Sequence, residues 1–337
     1  MDKRVIFAVA GSGKTTYIVN SLSLDKRSLI ITYTNTNYSN LERKIAKKFG
    51  GIWPSNITLM TYFRFLFSFC YKPFLSDKIG ACGIIYRNNP NQYLRQSDCG
   101  YYLSSSGYFY SNRLALFLEK QNVVDGIKKR IRKYFDEFII DEIQDIAGRD
   151  FIFLEQLMNT DVNMLFVGDF FQHTFDTSRD GNVNKSLFND QLAYEEKFRI
   201  KGIQCDHVTL QNSWRCGEPI CKFIRENLRI PIHSNRSSYD NSSIYFVSEP
   251  SEIERILKND NIIKLHYQKS YQYGIGHKNW GDTKGEDKYQ DVCVCLNKTT
   301  MSKYAAGKLS ELPASSRNKL YVAITRAHGN CYLIKEI

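Results

Sequence analysis

The sequence predicts an α/β fold in two domains, each built on a parallel sheet, and three observations predict it. Short apolar, β-branched runs alternate with helical stretches, as strands buried on both faces require. The first run leads directly into a glycine turn and a helix start, a strand–turn–helix order. The length, 337 residues, fits two domains of ordinary size that each bury a core.

The elements follow in order. Val5-Ile6-Phe7-Ala8-Val9 is the first strand, and a helix begins near Lys14. Ser28-Leu29-Ile30-Ile31-Thr32, Glu137–Ile140 and Asn163–Val167 supply three more strands. From Lys72 to about Gly126 the chain turns polar and tyrosine-rich, with Tyr101, Tyr102, Tyr108 and Tyr110 close together. This stretch (72–126) reads as an insertion in the first α/β unit, and a helical segment from Ser111 to about Lys120 leads back out of it. A second α/β series starts near His207-Val208-Thr209-Leu210, with strands at Ile244–Val247, Ile262–Leu265, Asp291–Leu296 and Cys331–Ile334. The polar stretch from Arg179 to Asp206 holds the boundary, so domains are expected at 1–200 and 201–337.

Composition narrows the function class. The chain is 42% hydrophobic, 24% charged and 14% aromatic, with mean hydropathy −0.40, which excludes a fully disordered chain. No apolar run approaches the roughly 18 residues of a membrane span. Met1-Asp2-Lys3-Arg4 is no signal peptide, so a cytoplasmic protein with no membrane partner is expected. The 46 basic against 35 acidic residues leave +11, a balance that suits a polyanion such as nucleic acid. The nine cysteines include no C-x-x-C pair and are odd in number, so they read as free thiols, mostly core filler.

The sharpest chemical signal is Ala10-Gly11-Ser12-Gly13-Lys14-Thr15-Thr16 directly after the first strand. It carries the end of the pattern G-x-x-x-x-G-K-S/T, with Ala8 where the first glycine would stand. Backbone N–H groups of Gly11 to Thr15 can cradle phosphate oxygens at the helix N-terminus. Lys14 would pair with the β and γ phosphates, and the Thr15 hydroxyl would ligate Mg²⁺. Such a loop needs a carboxylate at another strand end. Phe138-Ile139-Ile140-Asp141-Glu142 supplies Asp141 for Mg²⁺ and Glu142 to orient the attacking water or take its proton.

Asp141-Glu142-Ile143-Gln144-Asp145 resembles the D-E-x-Q-D signature of the UvrD/Rep-like branch of superfamily 1 helicases. Further motifs of that family match in order: Leu29–Asn35 (motif Ia), Thr58–Tyr62 (Ib), Val167–Gln172 (III), Leu210–Arg215 (IV), Gly281–Glu286 (V) and Tyr321–Ala327 (VI). The resemblance covers nearly the whole chain. It implies two RecA-like P-loop NTPase domains closing on ATP and Mg²⁺, and a single-stranded DNA path across them. It makes Gln172 a γ-phosphate sensor, Arg215 and Arg326 arginines that stabilise transition-state charge, and Trp214 a face for the base. Glu286, or Asp287 beside it, is implied as a ribose ligand. Thr34, Asn35 and Thr61 would hold DNA phosphates, while Tyr33, Tyr62 and Phe175 would stack on bases.

Departures from the family matter too. Thr177 and Ser178 replace the tryptophan and arginine that usually follow motif III. Only 65 residues, Cys216 to Trp280, separate motifs IV and V, too few for the large helical insert of bigger relatives. The basic run Lys128–Lys133 could line the strand path or form a solvated helix face, and the solvated face is the favoured reading. The expected function is a DNA-stimulated ATP-dependent translocase or helicase serving repair, a mobile element or defence against phage. The alternative is an ATPase that senses DNA and regulates a partner such as a nuclease. A passive nucleic-acid-binding module and a small-molecule kinase fit the retained motif residues less well.

Overall fold

Strands form where β-branched and aromatic residues run together, and the computed structural model describes them over residues 1–174, 183–184, 186–237 and 240–336. The first strands are β1 (Lys3–Phe7), β2 (Ser28–Thr32) and β3 (Ile57–Thr61). Then come β4 (Gly83–Ile85) and β5 (Tyr108–Tyr110) of the insertion, β6 (Glu137–Asp141), β7 (Asn163–Gly168) and β8 (Gln204–Asp206). The first sheet has the order β3-β2-β6-β7-β1-β8. Ser28 sits opposite both Ile57 and Glu137, in parallel register. All five residues of β2 are buried, as a strand covered on both faces requires.

The chain divides into two compact units, and the division is interleaved. One comprises Met1–Ile6, Thr15–Gly168 and the described part of Phe175–Asp206; the other comprises Phe7–Lys14, Asp169–Thr174 and the described part of His207–Ile337. The first sheet therefore takes its sixth strand from beyond residue 200, and the loop after β1 packs with the later part of the chain.

In the first unit, Phe138 and Phe166 meet edge to face under β6 and β7, with centroids 5.9 Å apart. The helix Asn35–Lys48 starts where Thr34 accepts the Asn37 N–H at 3.1 Å, an N-cap worth about 1 kcal/mol. The insertion pairs β4 with β5 in parallel and continues through a 3₁₀ turn into the helix Leu114–Lys120. Of the four clustered tyrosines Tyr101, Tyr102, Tyr108 and Tyr110, Tyr102 and Tyr110 are core residues at 5% and 4% exposure, so they are closed to any ligand. The basic run lies on the helix Val124–Tyr134, whose Ile127 and Ile131 are buried while Lys129, Arg132 and Lys133 face solvent.

The second unit pairs the short β9 (Asn212–Ser213) with β10 (His233–Ser234). Its main sheet comprises β11 (Ile244–Phe246), β12 (Ile262–His266), β13 (His277–Asn279), β14 (Asp291–Leu296) and β15 (Cys331–Lys335). The order is β11-β15-β14-β12-β13, and every pairing is parallel. The stretch His207–Leu210, where the second α/β series was expected to start, is a bend and turn, with Val208 70% exposed. A backbone bond, Val9 N–H to Leu210 O at 3.0 Å, joins it to the loop after β1. Among the described residues, the interval from Cys216 to Trp280 is filled by this unit's own elements: the helices Glu218–Leu228 and Pro250–Lys258 and strands β10–β13.

All nine cysteines are free, and six are buried. No described helix is long and apolar enough to cross a membrane.

The end of β7 tests the packing. A methyl at Gly168 would lie 2.7 Å from Ile143 Cγ2 and 3.1 Å from the Ile143 nitrogen, and against Gln144 Oε1. Gly168→Ala should lower stability by about 1–3 kcal/mol through overpacking, read as a lower Tm by calorimetry. An unchanged Tm would show that the turn after β6 yields freely.

Candidate nucleotide and nucleic-acid site

The loop after β1 is shaped by two glycines. Gly11 and Gly13 have φ of 71° and 88°, in the left-handed region that side chains resist. A methyl at Gly11 would meet Arg215 Cβ at 2.6 Å and Ser213 Oγ at 2.7 Å, so close approach also demands glycine there. At Gly13 a methyl would meet nothing within 4 Å, so the turn opens on free space at the start of the helix Lys14–Ser21. Lys14 is buried at 9% exposure, Thr15 is half-buried, and Thr16 is exposed and accepts Lys44 Nζ at 3.0 Å.

The loop backbone is held from the second unit's side. Ala10 N–H donates to the Tyr321 hydroxyl at 2.9 Å, and Gly11 O accepts the Trp214 N–H at 2.9 Å. That last bond places Trp214, 65% exposed, and Arg215 directly beside the glycine turn. Arg215 Nε binds Asp287 Oδ1 at 2.6 Å, and its Nη1 donates to Thr325 O at 3.1 Å. Arg326 is 2% exposed, with Nε on Val322 O and Nη1 on the carbonyls of Thr283 and Glu286. Burial first, and the neighbouring Arg215 charge second, bring its pKa down to about 9, so it stays charged at neutral pH. Arg326 thus gathers the 283–286 loop from inside the unit. Glu286 is engaged by Lys278 Nζ at 2.6 Å and by the Tyr289 hydroxyl.

In the first unit Asp141 ends β6 at 2% exposure. Glu142 follows with φ 57° and ψ 50°, a left-handed conformation that a non-glycine residue keeps only where its surroundings enforce it. Gln144 Nε2 donates to Glu142 Oε2 at 2.6 Å and aims the carboxylate. The sequence reading left this orienting role unassigned. Gln172, 3% exposed, sits on the turn Phe170–Gln172, which Asp169 caps by accepting the Phe171 N–H at 3.1 Å. Its strand β7 neighbours β1 in the sheet.

The residues expected to meet nucleic acid fare unevenly. Thr61 ends β3 in register with Thr32 of β2, and Thr34 and Asn35 follow the end of β2; these parallel strands bring all three to one sheet edge. Asn35 is exposed, while Thr34 is engaged as a helix cap. Tyr33 is half-buried against Tyr62 and Phe63, with centroids 6.3 and 5.7 Å away. The stacking face expected at Tyr62 is corrected: the ring is 2% exposed, because Tyr33 and Phe63 pack on it. Phe175 lies outside the described residues.

Asp287 is the carboxylate that sequence reasoning weighed least. The hydrogen bond with His328 first, and the Arg215 charge after it, hold its carboxyl well below the ordinary range. A depressed carboxylate contributes stability that is complete above its unfolded pKa, about 3.9, and is lost as pH falls below it. Asp287→Asn should therefore lower Tm at pH 7, and the deficit should shrink below about pH 4. Thermal melts from pH 7 to pH 3 check this; a deficit independent of pH would exclude the charge as its cause.

No protein-family model matches the chain, and no curated protein matches it. Among solved structures it is similar to arterivirus nonstructural protein 10, a helicase solved in complex with DNA. That likeness has 14% sequence identity and a TM-score of 0.51, and covers 98% of this chain and 60% of that one. The chain thus spans about 60% of the length of the structure it matches. At 14% identity the likeness is one of fold. The chain shares that structure's α/β fold, with parallel sheets of the RecA-like kind.

Proposed function

We propose that this protein is a nucleic-acid-stimulated ATPase of the UvrD/Rep-like superfamily 1 type, working as a translocase or helicase on DNA with a single-stranded segment. The observation that carries the reading is the bond between Gly11 O and Trp214 N–H. It brings a phosphate-cradling glycine turn, an open aromatic face and an arginine together. The solved relative of similar fold is a helicase bound to DNA, and the +11 charge suits the same partner.

The residues fit ATP with Mg²⁺. The turn at Gly13 has room for phosphate oxygens, and Lys14 follows it. Thr15 and Asp141 are hard oxygen donors of the type Mg²⁺ takes. When bound, the metal neutralises charge on the phosphate oxygens. Glu142, held by Gln144, takes the proton of the attacking water or orients it. Trp214 stacks on the base, and Glu286 or Asp287 meets the ribose. Gln172 reads the γ-phosphate, Arg215 stabilises the developing charge, and Arg326 supports that charge from within the second unit. Thr34, Asn35, Thr61 and Tyr33 contribute to the strand path.

A second reading is an ATPase that senses DNA and governs a partner such as a nuclease without processive unwinding. It is favoured by the interval from Cys216 to Trp280, which holds no separate duplex-gripping subdomain among the described residues.

ATP hydrolysis with and without single-stranded DNA, duplex DNA and RNA is the test. Turnover should need Mg²⁺ and rise strongly with single-stranded DNA; equal rates in all arms would leave a simple ATPase. Glu142→Gln should keep nucleotide affinity and cut kcat by about 10²–10⁴, whereas Lys14→Ala should weaken binding itself. Equal losses of affinity in both variants would remove the role given to Glu142. Strand displacement on duplexes of increasing length separates the two readings: the lone chain should unwind long duplexes poorly.

A further inference from the structure

The helix Ala314–Ile324 carries a tyrosine whose hydroxyl is fully buried, and burial pushes its pKa well above the ordinary value. The Tyr321 oxygen accepts the Ala10 N–H at 2.9 Å and donates to Asp169 Oδ2 at 3.0 Å. The direction of this chain is fixed by chemistry. A backbone N–H only donates, so the hydroxyl accepts there and its single proton goes to the carboxylate. Asp169 has its other oxygen on the Phe171 N–H at 3.1 Å and so caps the turn bearing Gln172. Ala10, Asp169 and Tyr321 are each 0% exposed, so water cannot replace any of these bonds.

The hydroxyl is not what seats the helix. Asn318, one turn earlier, donates to His173 O at 3.0 Å, and the Tyr321 ring meets Phe171 edge to face. Leu320, Val322, Ala323 and Ile324 are buried around it. A phenylalanine would keep all of this and lose only the relay.

We propose that Tyr321 is a positioning residue of the nucleotide site: its hydroxyl sets the phosphate loop through Ala10 and ties that loop to Asp169, the cap of the Gln172 turn. This rests on the ATPase reading above. Ala10 directly precedes the amides that cradle phosphate. A loop left loose there must be ordered when nucleotide binds, and that cost falls on affinity.

The test compares Tyr321→Phe with Asn318→Ala in the full chain, by calorimetric binding of ATP and ADP and by steady-state kinetics. Tyr321→Phe should raise the nucleotide Kd and the ATP KM roughly tenfold, the loss of about one buried hydrogen bond, and change kcat less than threefold. Asn318→Ala should lower Tm while leaving Kd as in the wild type. Wild-type affinity in Tyr321→Phe, or an equal loss of affinity in Asn318→Ala, would overturn the proposal. If Tyr321→Phe does not fold, Asp169→Asn enters the relay from its other end; it too should weaken nucleotide binding, and unchanged affinity there overturns the relay. A wild-type chain that binds no nucleotide defeats the ATPase reading and this proposal together. Binding by the wild type with no effect of Tyr321→Phe defeats this proposal alone.

Discussion

A buried backbone N–H or carbonyl left without a partner costs about 1–3 kcal/mol, and the glycine loop after β1 meets that demand far away in the sequence. Val9 is satisfied by Leu210, Ala10 by Tyr321 and Gly11 by Trp214. The loop leaves β1 yet clusters with the second unit, and this is why the division of the chain is interleaved. The glycines follow from the same constraint. Only a residue without Cβ allows the backbone at position 11 to approach Ser213 and Arg215 so closely.

The second unit solves a related problem with arginines. Arg215, Arg236 and Arg326 all donate to backbone carbonyls at the ends of β9 and of the helix Ala314–Ile324 or in the loops nearby. A guanidinium offers five donors in a rigid fork, so one side chain can join several carbonyls that no regular element would pair. Asp287 balances part of this charge on Arg215 and also bonds the His328 ring, and Asp240 balances Arg236. Removing one member leaves buried charge or bare carbonyls, so these arginines set loop geometry as well as local potential.

The sheets were legible because their strands are short, apolar and β-branched: Ser28–Thr32 and Asp291–Leu296 are strands over the same residues that the pattern marks. His207–Leu210 has a similar look yet forms a bend and turn, and local pattern carries no information on partners. The turn after β1 was legible from glycine spacing, since left-handed turns limit residue choice: Gly11 and Gly13 both have positive φ. Tyr62 and Tyr321 show the limit. A tyrosine reads alike whether its ring faces solvent, packs in a core or places its hydroxyl on a backbone amide. Only the fold distinguishes Tyr62 beneath Tyr33 and Phe63 from Tyr321 against Ala10. The motif that marks Arg326 likewise carries no sign that its hydrogen bonds run inward to carbonyls.

The bond between Ala10 and Tyr321 spans 311 residues. During synthesis the glycine turn leaves the ribosome 311 residues ahead of the tyrosine that anchors it. At about 5–20 residues per second, the turn waits tens of seconds for its anchor. Through that interval the sheet of the first unit can assemble around β2, β3, β6 and β7, but the loop beside it has no fixed shape. The hydrogen bond that fixes the glycine loop therefore forms late, when the helix bearing that tyrosine closes a very long loop whose entropic cost grows only slowly with length.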